Sequence, residues 1–273
     1  KPPMMTHVFF SEIKGKIIAA KGAPEAIIAC CELAPTIKDR ILATANKIAS
    51  EGYRILAVGE SDFNGEEYPK KQQDIRFRFL GLLAFYDPPK HNIKSVFEKF
   101  YRAGIAVKII TGDNTITTEA IARQAGFRNP EASIHADDML ALNEKELEAT
   151  ILRTTIFTRM FPEAKLRIIN ALKNQGEIVA MTGDGVNDAP ALKAAHIGIA
   201  MGKRGSALAR STATLILTDD DFGKMVDAIA MGRRIYTNLK KAIQYIISIH
   251  IPIILTVFMP LVLGWIYPSI FTP

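Results

Sequence analysis

Apolar positions in the first eighty residues gather into short runs, KIIAAKG, RILAVGE and FRFLGLLAFY. Their β-branched and aromatic content predicts strands. Helical spacing appears once there, around residues 37–50, so this part reads as an α+β unit. DPPK, at Asp87–Lys90, ends it. Two successive prolines hold the backbone extended, which suits a stiff connection between domains. Beyond it the pattern alternates. Ile93, Val96, Phe97 and Phe100 recur at helical spacing up to a stop at Gly104, and the strand IAVKII follows. Then come the turn TGDN, a helix TITTEAIARQAG, a variable polar stretch, TIFTR, a helix opening at Pro162, and the strand EIVAMT ending in the turn TGDGVNDAP (182–190). HIGIAM and ATLILT are further short strands. This α/β order predicts a helix-covered parallel sheet that binds ligands at the carboxyl ends of its strands. Both TGD turns fall there.

From Asp221 a helical pattern runs on into YIISIHIPIILTVFMPLVLGWIY, and residues 242–273 contain no Asp, Glu, Lys or Arg. That length of uncharged apolar chain predicts a transmembrane helix. A buried core helix is the alternative, which Pro252 and Pro260 disfavour because each removes a backbone hydrogen bond. Arg233, Arg234, Lys240 and Lys241 precede the span and predict that its N-terminal side is cytoplasmic, with Trp265 and Tyr267 in an interfacial belt. The boundaries read from these changes are 1–86, 87–220, 221–241 and 242–273.

With 273 residues and 48% hydrophobic content, the chain can bury a sizeable core. The two cysteines are the neighbours Cys30 and Cys31, which read as packing residues suited to a reducing compartment. The net charge of +6 comes without a basic patch interleaved with aromatics, so nucleic acid is not an expected partner.

Chemistry concentrates at the strand ends. In TGDGVNDAP, Gly183 and Gly185 allow backbone conformations closed to other residues, and Asp184 projects from a strand end with Asp188 a short turn later. Two carboxylates with Asn187 between them form a hard oxygen site that suits Mg²⁺. A plain Asp-Gly turn followed by an Asp helix cap explains the same residues equally well. Thr111 of TGDN can offer its hydroxyl and neighbouring amides to a phosphate oxygen. Lys165 lies in the first turn of its helix, where the dipole disfavours a cation unless an anion is near, though a surface lysine is the commoner case. Together these residues form a kit for phosphoryl transfer that lacks its nucleophile.

TGDN, Lys165 and MTGDGVNDAPALKAAHIGIAMG make the chain resemble the type II, calcium-pump-like P-type cation-transporting ATPases, a membrane branch of the haloacid dehalogenase-like superfamily. KGAPE, YRILA, DPPK, FTRMFPEAK and GRRIYTNLKKAIQY fall in that family's order. The resemblance implies a partial α+β nucleotide-binding domain, a Rossmann-like α/β phosphorylation domain with a parallel sheet, a stalk and the fifth membrane helix. It implies that Lys21, Gly22, Arg54, Asp113 and Arg159 meet ATP, that Thr111, Gly112 and Lys165 meet phosphate, and that Asp184 and Asp188, supported by Asn187, bind Mg²⁺. The family's phosphorylated aspartate lies in DKTGT, which does not occur here. The chain is thus expected to be an inactive slice of a multi-pass ATP-driven cation pump, partnered by the pump's remaining domains, the bilayer and the transported cation. His250 and Ile253 stand where animal calcium pumps carry ion ligands, so calcium is unsupported, and His250 is a candidate for the ion path or for a bond to a neighbouring helix. Pro252 would free a carbonyl for a cation. Two other readings remain: a non-catalytic nucleotide- or phosphate-binding membrane module, and a soluble phosphatase, which the terminal span disfavours.

Overall fold

The computed structural model describes residues 4–11, 15–63 and 67–264, so Trp265 and Tyr267 lie outside the described residues. Contacts divide the chain into two compact units, 1–220 and 221–273.

The first unit opens with an antiparallel sheet of β1 (Met4–Ser11), β2 (Gly15–Gly22), β3 (Arg54–Phe63) and β4 (Arg78–Phe85), paired in that order. Helices α1 (Pro24–Ala29) and α2 (Pro35–Ser50) each begin on a proline, whose fixed φ suits a first turn. Period-two alternation sends Ile18 and Ala20 of β2 and Ile55 and Ala57 of β3 to one face, where they pack with Ile27, Ala45 and Ala49. Cys30 and Cys31 are free thiols buried in this core, and burial foremost raises both pKa values. Strand β1 and helix α1 are additions to the elements read from sequence.

The remaining elements of this unit alternate as expected. In chain order they are α3 (Ile93–Arg102), β5 (Ile109–Ile110), α4 (Thr115–Gln124), β6 (Ser133–His135), α5 (Ala136–Ala141), α6 (Glu144–Arg153) and β7 (Ile156–Thr158). Then follow α7 (Pro162–Asn174), β8 (Ala180–Gly183), α8 (Ala189–Ala194), β9 (Ile197–Met201), α9 (Ala207–Thr212) and β10 (Leu215–Leu217). The variable polar stretch holds β6, α5 and α6, the last opened by a reciprocal capping box between Asn143 and Glu146.

One parallel sheet was expected, and the structure has two, ordered β5-β7-β6 and β10-β9-β8. Among the described residues, β5 pairs only with β7 and β8 only with β9, so each keeps one open edge. They nonetheless share one core: Ile110 of β5 packs against the cluster that holds Phe157, Ile168 and Met181. Central β7 is buried on both faces, Ile156 meeting Ala122 and Phe127 while Phe157 meets the larger cluster. Lys108, just before β5, donates to the carbonyls of Ile151, Leu152 and Thr154 and so satisfies the end of α6. Its burial lowers its pKa.

Among the described residues, the second unit holds one helix, α10 (Gly223–Val262), followed by Gly264 at φ +62. It is long and apolar enough to cross a membrane. Helical structure continues through Pro252 and Pro260. His250 bonds to the carbonyl of Ile246, one turn back in its own helix, at 2.8 Å.

Candidate functional site

The turn after β8 is built around Asp188. Its Oδ1 accepts from Lys165 Nζ at 2.6 Å, its Oδ2 accepts from the Gly185 N–H at 3.2 Å, and the two charged side chains are only 13% and 11% exposed. The cation in the first turn of α7 therefore has its anion, supplied 23 residues later in sequence. Asp188 precedes α8, but its carboxylate makes no cap bond to that helix; its bond to the Gly185 N–H closes the short 3-10 turn Val186–Asp188 instead.

The expected reason for the glycines is also corrected. Neither Gly183 nor Gly185 has a positive φ, and Gly185 lies at −97°. Gly183 is needed for space, since a β-carbon there would stand 2.5 Å from Asp188 Cβ. Asp184 and Asn187 are exposed, whereas Asp188 is buried. Among the described residues no group of three His, Cys, Asp or Glu forms a metal cluster. Two carboxylates and an amide oxygen are donor types that Mg²⁺ takes alongside several waters, although here both Asp188 oxygens are engaged, by Lys165 and by the Gly185 N–H.

The TGDN turn is laced to the strand that leads into α7. Thr111 donates its N–H to Phe157, and its carbonyl accepts the Met160 N–H at 2.9 Å, while the Arg159 N–H reaches the Asp113 carbonyl at 3.0 Å. Thr111 Oγ1 accepts the Asp113 N–H at 3.1 Å, which leaves its hydroxyl proton free to point at an anion. Asn114 caps α4 through Thr117, at 2.8 Å, and so belongs to the helix rather than to the ligand. Among the described residues no hydrogen bond or ion pair joins Thr111 to Lys165, Asp184 or Asp188; the link is through the backbone at 157–161.

The antiparallel sheet supplies the remaining polar residues. Strand register puts Lys21 opposite Val58, on the face turned away from α1 and α2, and Arg54 lies on that same face. Met5, Phe9, Leu83 and Phe85 also stand exposed on it. Arg54 Nε lies 3.3 Å from Asp113 Oδ1, and Arg159 Nη2 lies 2.6 Å from Glu25 Oε1, so two ion pairs join this sheet and the first turn of α1 to the strand ends of the parallel region. Arg159 holds φ +56, a left-handed conformation that is strained for a side chain of its size. Glu25 was not singled out from sequence; KGAPE contains it, but its partner is 134 residues away. Gly22 is buried at the end of β2 and Gly112 sits against Met160.

The chain matches the haloacid dehalogenase-like hydrolase family over residues 19–196. It is 36% identical over 267 residues to a calcium-transporting ATPase of Lactococcus lactis, covering 93% of this chain and 30% of that protein. A calcium-transporting ATPase of Listeria monocytogenes is 35% identical, covering 97% and 31%. A sodium/potassium exporting P-type ATPase of Schizosaccharomyces pombe is 34% identical, covering 88% and 25%. The chain spans less than a third of the length of each.

Proposed function

Because the chain belongs to the haloacid dehalogenase-like hydrolase family and, within it, to the P-type cation-transporting ATPases, we propose that it is the part of an ATP-driven cation pump that presents phosphate and metal ligands to a phosphorylated aspartate. The observation that carries this reading is the buried Lys165–Asp188 pair beside exposed Asp184, at the carboxyl end of an open-edged parallel strand. Residues 1–86 act as the nucleotide-binding part, 87–220 as the phosphorylation part, 221–241 as stalk and 242–273 as a membrane helix of a multi-pass protein whose soluble parts are cytoplasmic.

The aspartate lies outside this chain, on a further parallel strand that uses the open edges of β5 and β8. ATP lies along the sheet face that bears Lys21 and Arg54, with Gly22 at the strand end and Asp113 and Arg159 beyond it. Lys165 neutralises the transferring phosphoryl group, and the Thr111 hydroxyl and Gly112 amide orient it. Asp184 and Asp188, with Asn187 in support, would hold Mg²⁺, which would supply positive charge to offset the negative charge developing on the phosphoryl oxygens. The transported cation is selected elsewhere, since relatives named for calcium and for sodium/potassium match this segment at similar identity. In the complete protein, Asp184→Asn should weaken Mg²⁺-dependent, acid-stable labelling by γ-phosphate-labelled ATP at limiting Mg²⁺. Undiminished labelling would give the carboxylate another role, and no labelling of the unaltered protein would favour a non-catalytic phosphate-binding module.

A further inference from the structure

The last residue of the first unit, Asp220, is buried and charged, and it lies more than 30 residues from Asp184 and Asp188 in sequence. Asp220 is 6% exposed and adopts φ +55. Its Oδ1 accepts the Lys203 N–H and its Oδ2 the Arg204 N–H, both at 3.0 Å, one consecutive amide to each oxygen. The carboxylate thus fills the concavity that two successive amides make for an anion. The turn it grips has no slack: a β-carbon on Gly205 would stand 2.0 Å from the Met201 carbonyl oxygen, and one on Gly202 would stand 2.8 Å from that of Leu217. Directly after this turn, the Ser206 N–H donates to the Asp184 carbonyl at 2.7 Å. At its other end Asp220 accepts on its own carbonyl from Lys90 of DPPK, at 2.5 Å. The Lys203 amide foremost, with the Arg204 and Gly202 amides and the Lys90 cation, holds the carboxyl below the usual range.

We infer that Asp220 is a positioning residue for the metal turn: it sets the loop 202–205, and through Ser206 that loop fixes the backbone from which Asp184 projects. The metal side of this inference rests on the role proposed for Asp184. Groups that orient metal ligands without touching the metal commonly change affinity by about 10- to 100-fold when lost. No described element other than the loop 202–206 donates a hydrogen bond to the Asp184 carbonyl, so losing the grip leaves that carbonyl unheld.

The experiment uses the chain in detergent micelles, with Asp220→Gly, which removes the carboxylate and tolerates positive φ, and Asp220→Asn, which tolerates it too and keeps one acceptor oxygen. Amide exchange at Ser206 should rise about tenfold or more in the glycine variant and by less in the asparagine variant, while exchange in β7 stays at the parent rate. Mn²⁺ binding, followed by electron paramagnetic resonance, should weaken in the same order, by about tenfold in the glycine variant. Unchanged Ser206 exchange, or faster exchange with Mn²⁺ affinity equal to the parent's, overturns the inference. A parent that binds no Mn²⁺ at all refutes the metal role of Asp184 instead, and the Ser206 rate alone then decides the role of Asp220.

Discussion

The Lys165–Asp188 pair offers a direct test of the site's energetics. At 2.6 Å and an effective dielectric near 20, the attraction between the two charges is about 6 kcal/mol, most of which offsets the loss of their water. The net worth of the pair is therefore small, but the cost of breaking it from one side is not. Lys165→Met leaves a buried carboxylate, and Asp188→Asn leaves a buried ammonium; each should destabilise by about 3 kcal/mol or more. The double variant should lose only about 0–2 kcal/mol, because neither charge is then stranded. A double-mutant cycle, measured by pulse proteolysis in urea on the micellar chain, should therefore show strong coupling. Single changes costing under about 1 kcal/mol, the range of exposed pairs, or additive effects would falsify the buried pair.

Two further outcomes follow from the same region. Gly183→Ala drives a β-carbon into Asp188 and should cost about 1–3 kcal/mol of stability, with loss of Gly185 amide protection in hydrogen exchange; wild-type stability would mean that the turn relaxes freely. Asp220, whose folded pKa is depressed, contributes stability above its unfolded pKa of about 3.9, and this is lost as pH falls through the folded value. The stability gap between the parent and Asp220→Gly should thus narrow below about pH 4 and stay constant near neutrality, and a gap that persists in acid would mean that the carboxylate's charge is immaterial.

Local pattern was enough for much of the architecture. Apolar runs rich in β-branched and aromatic residues marked β2, β3 and β4, helical spacing marked α2 and α3 with its stop at Gly104 (φ +73), and the uncharged run marked the apolar helix. These signals are legible because each reflects one face meeting one environment. β6, α5 and α6 were not, since they lie in a stretch dominated by polar residues, where few apolar positions mark a buried face.

The site divides in the same way. TGDN, Lys165 and TGDGVNDAP stand out as residue types suited to phosphate and metal, and that suitability belongs to chemistry rather than to distance. Which group meets which was decided only by the fold: Lys165 with Asp188, Arg54 with Asp113, Arg159 with Glu25, and Asp220 with the loop that holds Asp184. Even the reason for Gly183 changed, from backbone freedom to room for a neighbour's β-carbon. The sequence determined the inventory of chemical groups and the order of most elements because propensity and pattern act between near neighbours; it could not determine these pairs, because partners separated by 16 to 134 residues are chosen by how sheets and helices pack.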